Sequence, residues 1–296
     1  MLANLLIGLR EGLEAALIVG ILAAYLVRTG QRAALRPLWG GVAAAVVASI
    51  AAALIVTATA NGLPEQAEKI FAGTMSWIAV GLITWMVFWM ASKARTLRGE
   101  LQANVDRALT KSSWALAIVA FVAVGREGLE TAIFLWSSVR ATGGTATEIL
   151  AALAGIAIAC FLGWLIYQGS LRINLGKLFT VTGIALIVVA AGLLSYGIHE
   201  FQEAGFLPGE DNLAFDISGV IDPAGWVATL FKGALSLTPA MSWAQVIGWF
   251  AYLIPTLTIY LITLRRRTAA PAAAPASPAA AAPAAPAPAV REDVRA

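Results

Sequence analysis

Long apolar runs, separated by short polar connections, occupy the first 264 residues of the chain. A helix needs about 20 apolar residues to cross the hydrocarbon core of a membrane. Runs of that length in lipid must be helical, because their backbone polar groups have no partners except one another. Seven runs qualify, at residues 2–27, 38–60, 70–91, 114–139, 149–170, 178–199 and 243–264. The pattern predicts an all-α integral membrane protein with seven transmembrane helices.

The composition agrees with a lipid surrounding. Hydrophobic residues make up 59% of the chain and charged residues only 12%, whereas a soluble domain keeps about 25% of its residues charged. The single Cys160 lies in an apolar run, which excludes an intramolecular disulfide and a thiolate metal site. We predict a membrane domain at 1–264, followed at 265–296 by a basic stop and a disordered, Ala/Pro-rich cytoplasmic tail.

Basic residues predict the orientation, because arginine and lysine accumulate in cytoplasmic connections. The segments after the first, third, fifth and seventh spans hold most of them: Arg28, Arg32, Arg36, Lys93, Arg95, Arg98, Arg107, Lys111, Arg172, Lys177, Arg265, Arg266 and Arg267. The opposite connections carry only Lys69, Arg140 and Lys232. This places the N-terminus outside and the C-terminus inside the cytoplasmic membrane. The connections on the outer side are rich in acidic residues. These residues either concentrate cations near the protein or are only solvated loop surface.

A charged motif occurs twice within the apolar runs. The sequence LREGLEAA at 9–16 recurs as GREGLETA at 125–132. The copies lie in spans one and four, an offset of three spans. Because three is odd, the copies run in opposite directions across the membrane. This predicts an inverted repeat of three plus three helices with a seventh helix added. Transporters built in this way bind substrate near the midplane of the membrane.

Each copy places two glutamates three residues apart, on one face of its helix. Counted at 1.5 Å per residue, the motifs lie roughly 15 to 20 Å along their helices, near mid-membrane. Charged groups at that depth cost at least ~2.5–3.5 kcal/mol each, so they must face one another or water. The packed helices would present four carboxylates around one volume: Glu11, Glu14, Glu127 and Glu130. Arg10 and Arg126 stand beside the first glutamate of each copy and would keep it ionised. Gly8 and Gly12 form a small-residue surface for close helix contact.

Four carboxylates without imidazole or thiolate favour a hard cation such as magnesium, calcium, manganese or iron. One alternative is an Arg–Glu network that only holds helices together, although a duplicated motif with a second glutamate in each copy argues against it. Another is a transporter or channel for manganese or calcium. An intramembrane enzyme is disfavoured, because the spans contain no paired His/Asp, Ser/Lys or histidine-rich set. His199 and Glu203 are four residues apart and form either a two-ligand arrangement or, the preferred interpretation, a polar helix end.

The doubled motif resembles that of the oxidase-dependent iron transporters, or high-affinity iron permeases. This family includes the bacterial ferrous iron permease of the three-component iron uptake system. The resemblance covers all seven spans and extends to residues 82–90, 172–176 and 203–205. It implies import of Fe²⁺ or Fe³⁺ across the cytoplasmic membrane. It also implies that Glu11, Glu14, Glu127 and Glu130 are iron ligands, with Arg10 and Arg126 as supporting charges.

The resemblance has further implications for partners and for the outer side. Iron is expected as substrate, without a tightly bound cofactor and without nucleic acid. An extracytoplasmic iron-binding lipoprotein and a haem peroxidase are expected as protein partners. Relatives carry a glutamate in a Phe-Glu-Gly stretch where this chain has Ala72. The nearby residues Glu65 and Glu68, with His199 and Glu203, then form the predicted outer iron site.

Overall fold

Seven long helices account for most of the chain. The structure is a computed structural model that describes residues 1–93, 103, 105, 107, 113–144, 146–168, 175–216 and 240–269. Within these ranges the helices of more than 20 residues are α1 (Leu2–Arg28), α2 (Leu35–Asn61), α3 (Glu65–Lys93), α4 (Ser113–Thr142), α5 (Ala146–Tyr167), α6 (Leu175–Glu203) and α7 (Trp243–Ala269). A 3₁₀ turn, Arg32–Ala34, precedes α2. The predicted all-α class is confirmed.

Besides this 3₁₀ turn, the described residues form a small antiparallel sheet that the hydrophobic pattern did not predict. Its strands are β1 (Leu213–Asp216) and β2 (Ala240–Ser242), which lie between α6 and α7 in the chain. Several helices extend past their apolar spans, since a helix satisfies its own backbone and continues into the polar interface. Residues 169–174, most of the connection between α3 and α4, and the predicted tail from 270 onward lie outside the described residues.

Five helices, α2, α3, α5, α6 and α7, are long and apolar enough to cross a membrane by themselves, judged over the described residues by length and composition. The other two, α1 and α4, are as long but carry the charged motifs. Apolar side chains on α2, α5 and α7 point away from the bundle; examples are Val47, Leu54, Leu150, Leu153, Ile247 and Ile254. Lipid suits this surface, whereas the motif charges lie inside. The chain is therefore an integral membrane protein.

Helices α1 and α5 pack closely because small residues line their contact. A Cβ at Gly8 would overlap the carbonyl oxygen of Ala152, and a Cβ at Gly12 would lie 2.8 Å from that of Ala159. The predicted small-residue surface of Gly8 and Gly12 is thus confirmed. The contacts advance in the same sense along both helices, so α1 and α5 are parallel.

Helices α2 and α4 pack in the same manner on the other side of the bundle. A Cβ at Gly41 would overlap the carbonyl oxygen of Ala117, and one at Gly128 would overlap the hydroxyl of Ser49. These contacts also advance in step, so α2 and α4 are parallel. Glycine in each motif therefore serves helix packing, while the glutamates of the motif face elsewhere.

Replacing Gly8 by alanine is expected to destabilise the protein by about 1–3 kcal/mol, because the added methyl group meets a backbone carbonyl that cannot move independently of its helix. The measurement is thermal unfolding in detergent. Gly20→Ala is the matched control, since no atom lies within 4 Å of a Cβ built on Gly20 of the same helix. An equal unfolding temperature for the two variants would contradict the proposed packing constraint.

Helices α1 and α4 cross the bundle in opposite directions. Leu22, late in α1, shares an apolar cluster with Leu38 near the start of α2 and Leu116 near the start of α4. Ile7, early in α1, shares a different cluster with Phe134 in the second half of α4. We call the end of the bundle at which α1 begins and α4 ends the N-terminal end, and the other the opposite end.

Candidate metal-binding site

The two motif copies bring their glutamates together inside the bundle. Glu11 of α1 and Glu127 and Glu130 of α4 each offer one carboxylate oxygen, and the three oxygens lie within 4.8 Å of one another. All three side chains are buried. Oxygens on opposite sides of a cation that is bound at about 2.0–2.1 Å are roughly 4 Å apart. A small side-chain movement therefore lets the three carboxylates share one cation.

Several oxygens of this cluster have no hydrogen-bond partner among the described residues. They are both carboxylate oxygens of Glu11, Oε2 of Glu127 and Oε2 of Glu130. A buried carboxylate without a partner is costly, because it has lost its water without gaining another interaction. A cation bound among these oxygens would supply the missing interaction, and hard cations prefer such ligands. The donor set therefore fits a hard metal ion.

Each motif arginine pairs with the second glutamate of its copy. The Nε of Arg10 lies 3.1 Å from Oε1 of Glu14, and the Nε of Arg126 lies 2.9 Å from Oε1 of Glu130. Arg126 also lies 3.8 Å from Glu127. From the sequence we expected each arginine to stabilise the first glutamate of its motif. That expectation was wrong for the principal ion pair, which each arginine forms with the second glutamate. Adjacent residues point in different directions around a helix, whereas residues four apart are neighbours.

Glu14 differs from the other three glutamates in its position. Its side chain is buried and accepts a hydrogen bond from Arg10, which is itself 1% exposed. The group of three converging carboxylates does not include it. Of the four predicted ligands, the structure thus brings three together. Glu130 belongs to this group although it pairs with Arg126, whereas Glu14 pairs with Arg10 and lies outside the group.

Two tryptophans that the sequence did not connect with the motif contact Arg126. The guanidinium carbon of Arg126 lies 4.7 Å from the ring centroid of Trp89 and 5.5 Å from that of Trp85. Both belong to α3 and are four residues apart, so they share a face. This four-residue spacing was the signal that the sequence offered. Cation–π contacts hold Arg126 where Arg10, its counterpart, is simply buried.

The residues predicted for the outer site lie in ion pairs instead of an open group. Lys69 Nζ lies 3.0 Å from Glu65 Oε1 and 3.3 Å from Glu203 Oε2. His199 Nε2 lies 3.0 Å from the other oxygen of Glu203. The predicted proximity of His199 and Glu203 is therefore present, with a lysine between the two carboxylates.

The fourth outer candidate is separate from this group. Glu68 Oε1 lies 2.7 Å from Nη1 of Arg140. Ala72, which occupies the position of a glutamate in the resemblance, is buried in an apolar cluster with Ala60 and Trp136. Its environment is one for a small apolar side chain.

An integral membrane bundle with converging buried carboxylates is the arrangement expected of a helical membrane permease for a metal cation. The chain belongs to the Iron permease FTR1 family, whose sequence model matches residues 1–268. Permeases of this kind are transporters and not enzymes, as the sequence predicted.

Similar proteins carry consistent names. The chain is 38% identical to "Ferrous iron permease EfeU" of Escherichia coli O6:H1 over 273 residues, which covers 91% of this chain and 99% of that protein. It is 34% identical to "Ferrous iron permease EfeU" of Yersinia pestis, over 93% of this chain and 98% of that protein. A protein of Escherichia coli K12 with 38% identity, over 93% of this chain and all of that protein, is named "Putative inactive ferrous iron permease EfeU". No solved structure matches the chain.

Proposed function

We propose that this protein imports iron across the cytoplasmic membrane through a site at the centre of the bundle. Glu11, Glu127 and Glu130 bind the ion, and Glu14 is the fourth carboxylate of the site. The observation that carries the proposal is the convergence of three buried carboxylates from the two motif copies. A purely structural Arg–Glu network would use the carboxylate oxygens in ion pairs, yet neither oxygen of Glu11 has a partner among the described residues.

The inverted repeat is part of the proposal. The opposite directions of α1 and α4 support it, as does the pairing of α1 with α5 and of α4 with α2. If α1–α3 correspond to α4–α6, the repeat relates the contact of α1 with α5 to that of α4 with α2. The same relation exchanges α3 and α6, which contact each other. The seventh helix, α7, packs on α6 outside this arrangement. The N-terminus is proposed to lie outside, on the basis of the basic residues in alternate connections.

Fe²⁺ is the proposed form of the transported ion. Counted as fully ionised, four carboxylates and two guanidinium groups give the centre a formal charge of −2. A divalent cation neutralises that charge, whereas a trivalent cation leaves an excess positive charge in a region of low dielectric constant. The names of the relatives, which specify ferrous iron, point to the same ion.

The test is uptake of radiolabelled iron into liposomes that contain the purified protein. Iron is supplied as Fe²⁺ with reductant and, separately, as chelated Fe³⁺, with manganese, calcium or zinc as competitors. Saturable Fe²⁺ uptake that excess manganese does not block is expected. Manganese or calcium uptake without iron uptake would instead support the alternative, a transporter for another hard cation. Uptake of chelated Fe³⁺ alone would contradict the charge argument.

The outer site of Glu65, Glu68, His199 and Glu203 stays a prediction. Lys69 and Arg140 neutralise part of its charge, so we propose that it attracts cations toward the bundle instead of binding one tightly. The lipoprotein and haem peroxidase partners likewise stay predictions. Liposomes that lack them test whether the permease works alone.

A further inference from the structure

Three buried side chains away from the glutamates each have an oxygen atom without a hydrogen-bond partner in the described part of the chain. They are Asn4 through Oδ1, Ser76 through Oγ and Ser137 through Oγ, none of which has a partner among the described residues. All three residues are 0% exposed. An unsatisfied buried polar atom costs about 1–3 kcal/mol. Water or a passing ion beside these atoms would remove that cost.

Two of these residues lie on the faces that carry the glutamates. Asn4 is seven residues before Glu11 in α1, and Ser137 is seven residues after Glu130 in α4. Seven residues are nearly two turns, so each polar group lies above its glutamate at a height of about 10 Å. Because α1 and α4 are antiparallel, both displacements lead toward the N-terminal end of the bundle.

The third residue lies on the same side of the glutamates. Ser76 precedes Trp85 in α3 by nine residues, about 14 Å along the helix, and Trp85 contacts Arg126 of the motif. Helix α3 begins at the N-terminal end, where Ala72 packs on Trp136 near the end of α4. Three helices therefore each contribute one unpaired polar group to this half of the bundle.

The opposite half is apolar at the equivalent positions. Ile18 lies seven residues after Glu11, and Ala120 lies seven residues before Glu127. Both are buried in one apolar cluster with Leu22 and Leu116. Both halves of the bundle contain apolar clusters, but unpaired polar oxygens at seven-residue spacing from the glutamates occur, among the positions compared, only toward the N-terminal end.

We propose that Asn4, Ser76 and Ser137 line the path by which the cation reaches the glutamates, and that the apolar cluster around Ile18 and Ala120 closes the opposite end. This inference rests on the proposed function and specifies how the same site is reached. Single amide and hydroxyl oxygens hold a cation more weakly than a group of carboxylates does. An ion therefore leaves these oxygens readily and binds at the glutamates. Binding that is weak enough for the ion to move on is what passage through successive sites requires.

Glu148 marks the beginning of the proposed path. The Nδ2 of Asn4 donates a hydrogen bond of 2.6 Å to Oε2 of Glu148, a carboxylate that is 5% exposed at the start of α5. This bond orients the amide of Asn4 and leaves its Oδ1 free of protein partners among the described residues. The unpaired atom is thus the oxygen, which is the atom that attracts a cation.

The test compares the reactivity of cysteines placed in the two halves of α4. Cys160 is first replaced by serine, because it is exposed. Ser137→Cys and Ala120→Cys are then made separately; both positions are 0% exposed and accept a small side chain. A charged, membrane-impermeant methanethiosulfonate reagent is added to spheroplasts with the full-length protein. Ser137→Cys is expected to react at least about tenfold faster, because only a hydrated cysteine forms the reactive thiolate.

Iron provides the second comparison. Fe²⁺ is expected to slow the modification of Ser137→Cys, since the ion and the reagent share the path. Equal rates for Ser137→Cys and Ala120→Cys, or faster reaction of Ala120→Cys, would overturn the assignment of the path. Reaction of Ser137→Cys that Fe²⁺ leaves unchanged would show a water path that iron does not use, and would overturn it also.

The same preparation separates this inference from the proposed function. Iron uptake is measured in parallel for each cysteine variant. A reactive Ser137→Cys in a protein that takes up no iron would contradict the transport proposal, whereas uptake with an unreactive Ser137→Cys would contradict the path. If Ser137→Cys fails to insert, Ser76→Cys supports the same comparison from α3.

Discussion

Replacing Glu11 by glutamine is expected to abolish iron uptake while the protein still inserts and folds. Glutamine keeps the shape of the side chain but removes the charge, and both oxygens of Glu11 are free of other partners among the described residues. Even the loss of groups that only support a metal ligand costs about 10–100-fold in metal affinity or activity. Loss of a ligand charge should therefore lower Fe²⁺ uptake into liposomes by at least that factor. Glu127→Gln is expected to behave in the same way.

The control for these variants is Glu65→Gln, which removes a carboxylate whose side chain is 84% exposed. Its uptake is expected to stay within a few-fold of the unmodified protein, because solvent and salt screen an exposed charge. Normal transport by both Glu11→Gln and Glu127→Gln would rule out the proposed ligand role. Equal loss in all three variants would indicate a general requirement for negative charge, not a site at the centre of the bundle.

Replacing Arg10 by alanine is expected to impair folding more than any other substitution in the motifs. Arg10 is 1% exposed and its Nε lies 3.1 Å from the carboxylate of Glu14. Its removal leaves that carboxylate buried without its partner, and breaking a buried ion pair in this way costs about 3–5 kcal/mol. Lower yield and a lower unfolding temperature in detergent are the measurements.

A second substitution checks the physical cause. Adding Glu14→Gln to Arg10→Ala removes the stranded charge and is expected to recover part of the lost stability. Arg126→Ala is the matched variant in the other motif copy. Its side chain is 35% exposed and rests on Trp85 and Trp89, so its ion pair with Glu130 is less enclosed than that of Arg10 with Glu14, and the loss should be smaller. Equal destabilisation by Arg10→Ala and Arg126→Ala would contradict the difference in burial.

The sequence was sufficient to single out the two charged motifs, because a charged group within a membrane is stable only in a few environments. The motif in α1 and its copy in α4 stand in mid-helix, where charged groups can only face one another or water. That argument requires no knowledge of how the helices pack. The close contact at Gly8 and Gly12 followed in the same way, since small residues at four-residue spacing permit helices to approach.

The pairing of individual atoms was less accessible from sequence. The arginines pair with the second glutamates because residues four apart are neighbours on a helix, and the choice between two nearby carboxylates depends on side-chain reach. Neither the contact of Arg126 with Trp89 nor the ion pair of Lys69 with Glu203 could be predicted, since each joins two helices whose relative position the hydrophobic pattern leaves open.

The sequence by itself determined the seven helices, the membrane environment, the doubled motif and the family, because each depends on local apolar length or on residue identity. Only the tertiary structure decided which carboxylates converge, that Glu14 lies outside the converging group, and that the unpaired oxygens of Asn4, Ser76 and Ser137 lie toward the same end of the bundle. These features depend on how far and at what rotation α1, α3 and α4 pack against one another. Such distances arise from side-chain contacts between remote parts of the chain, and no local pattern encodes them.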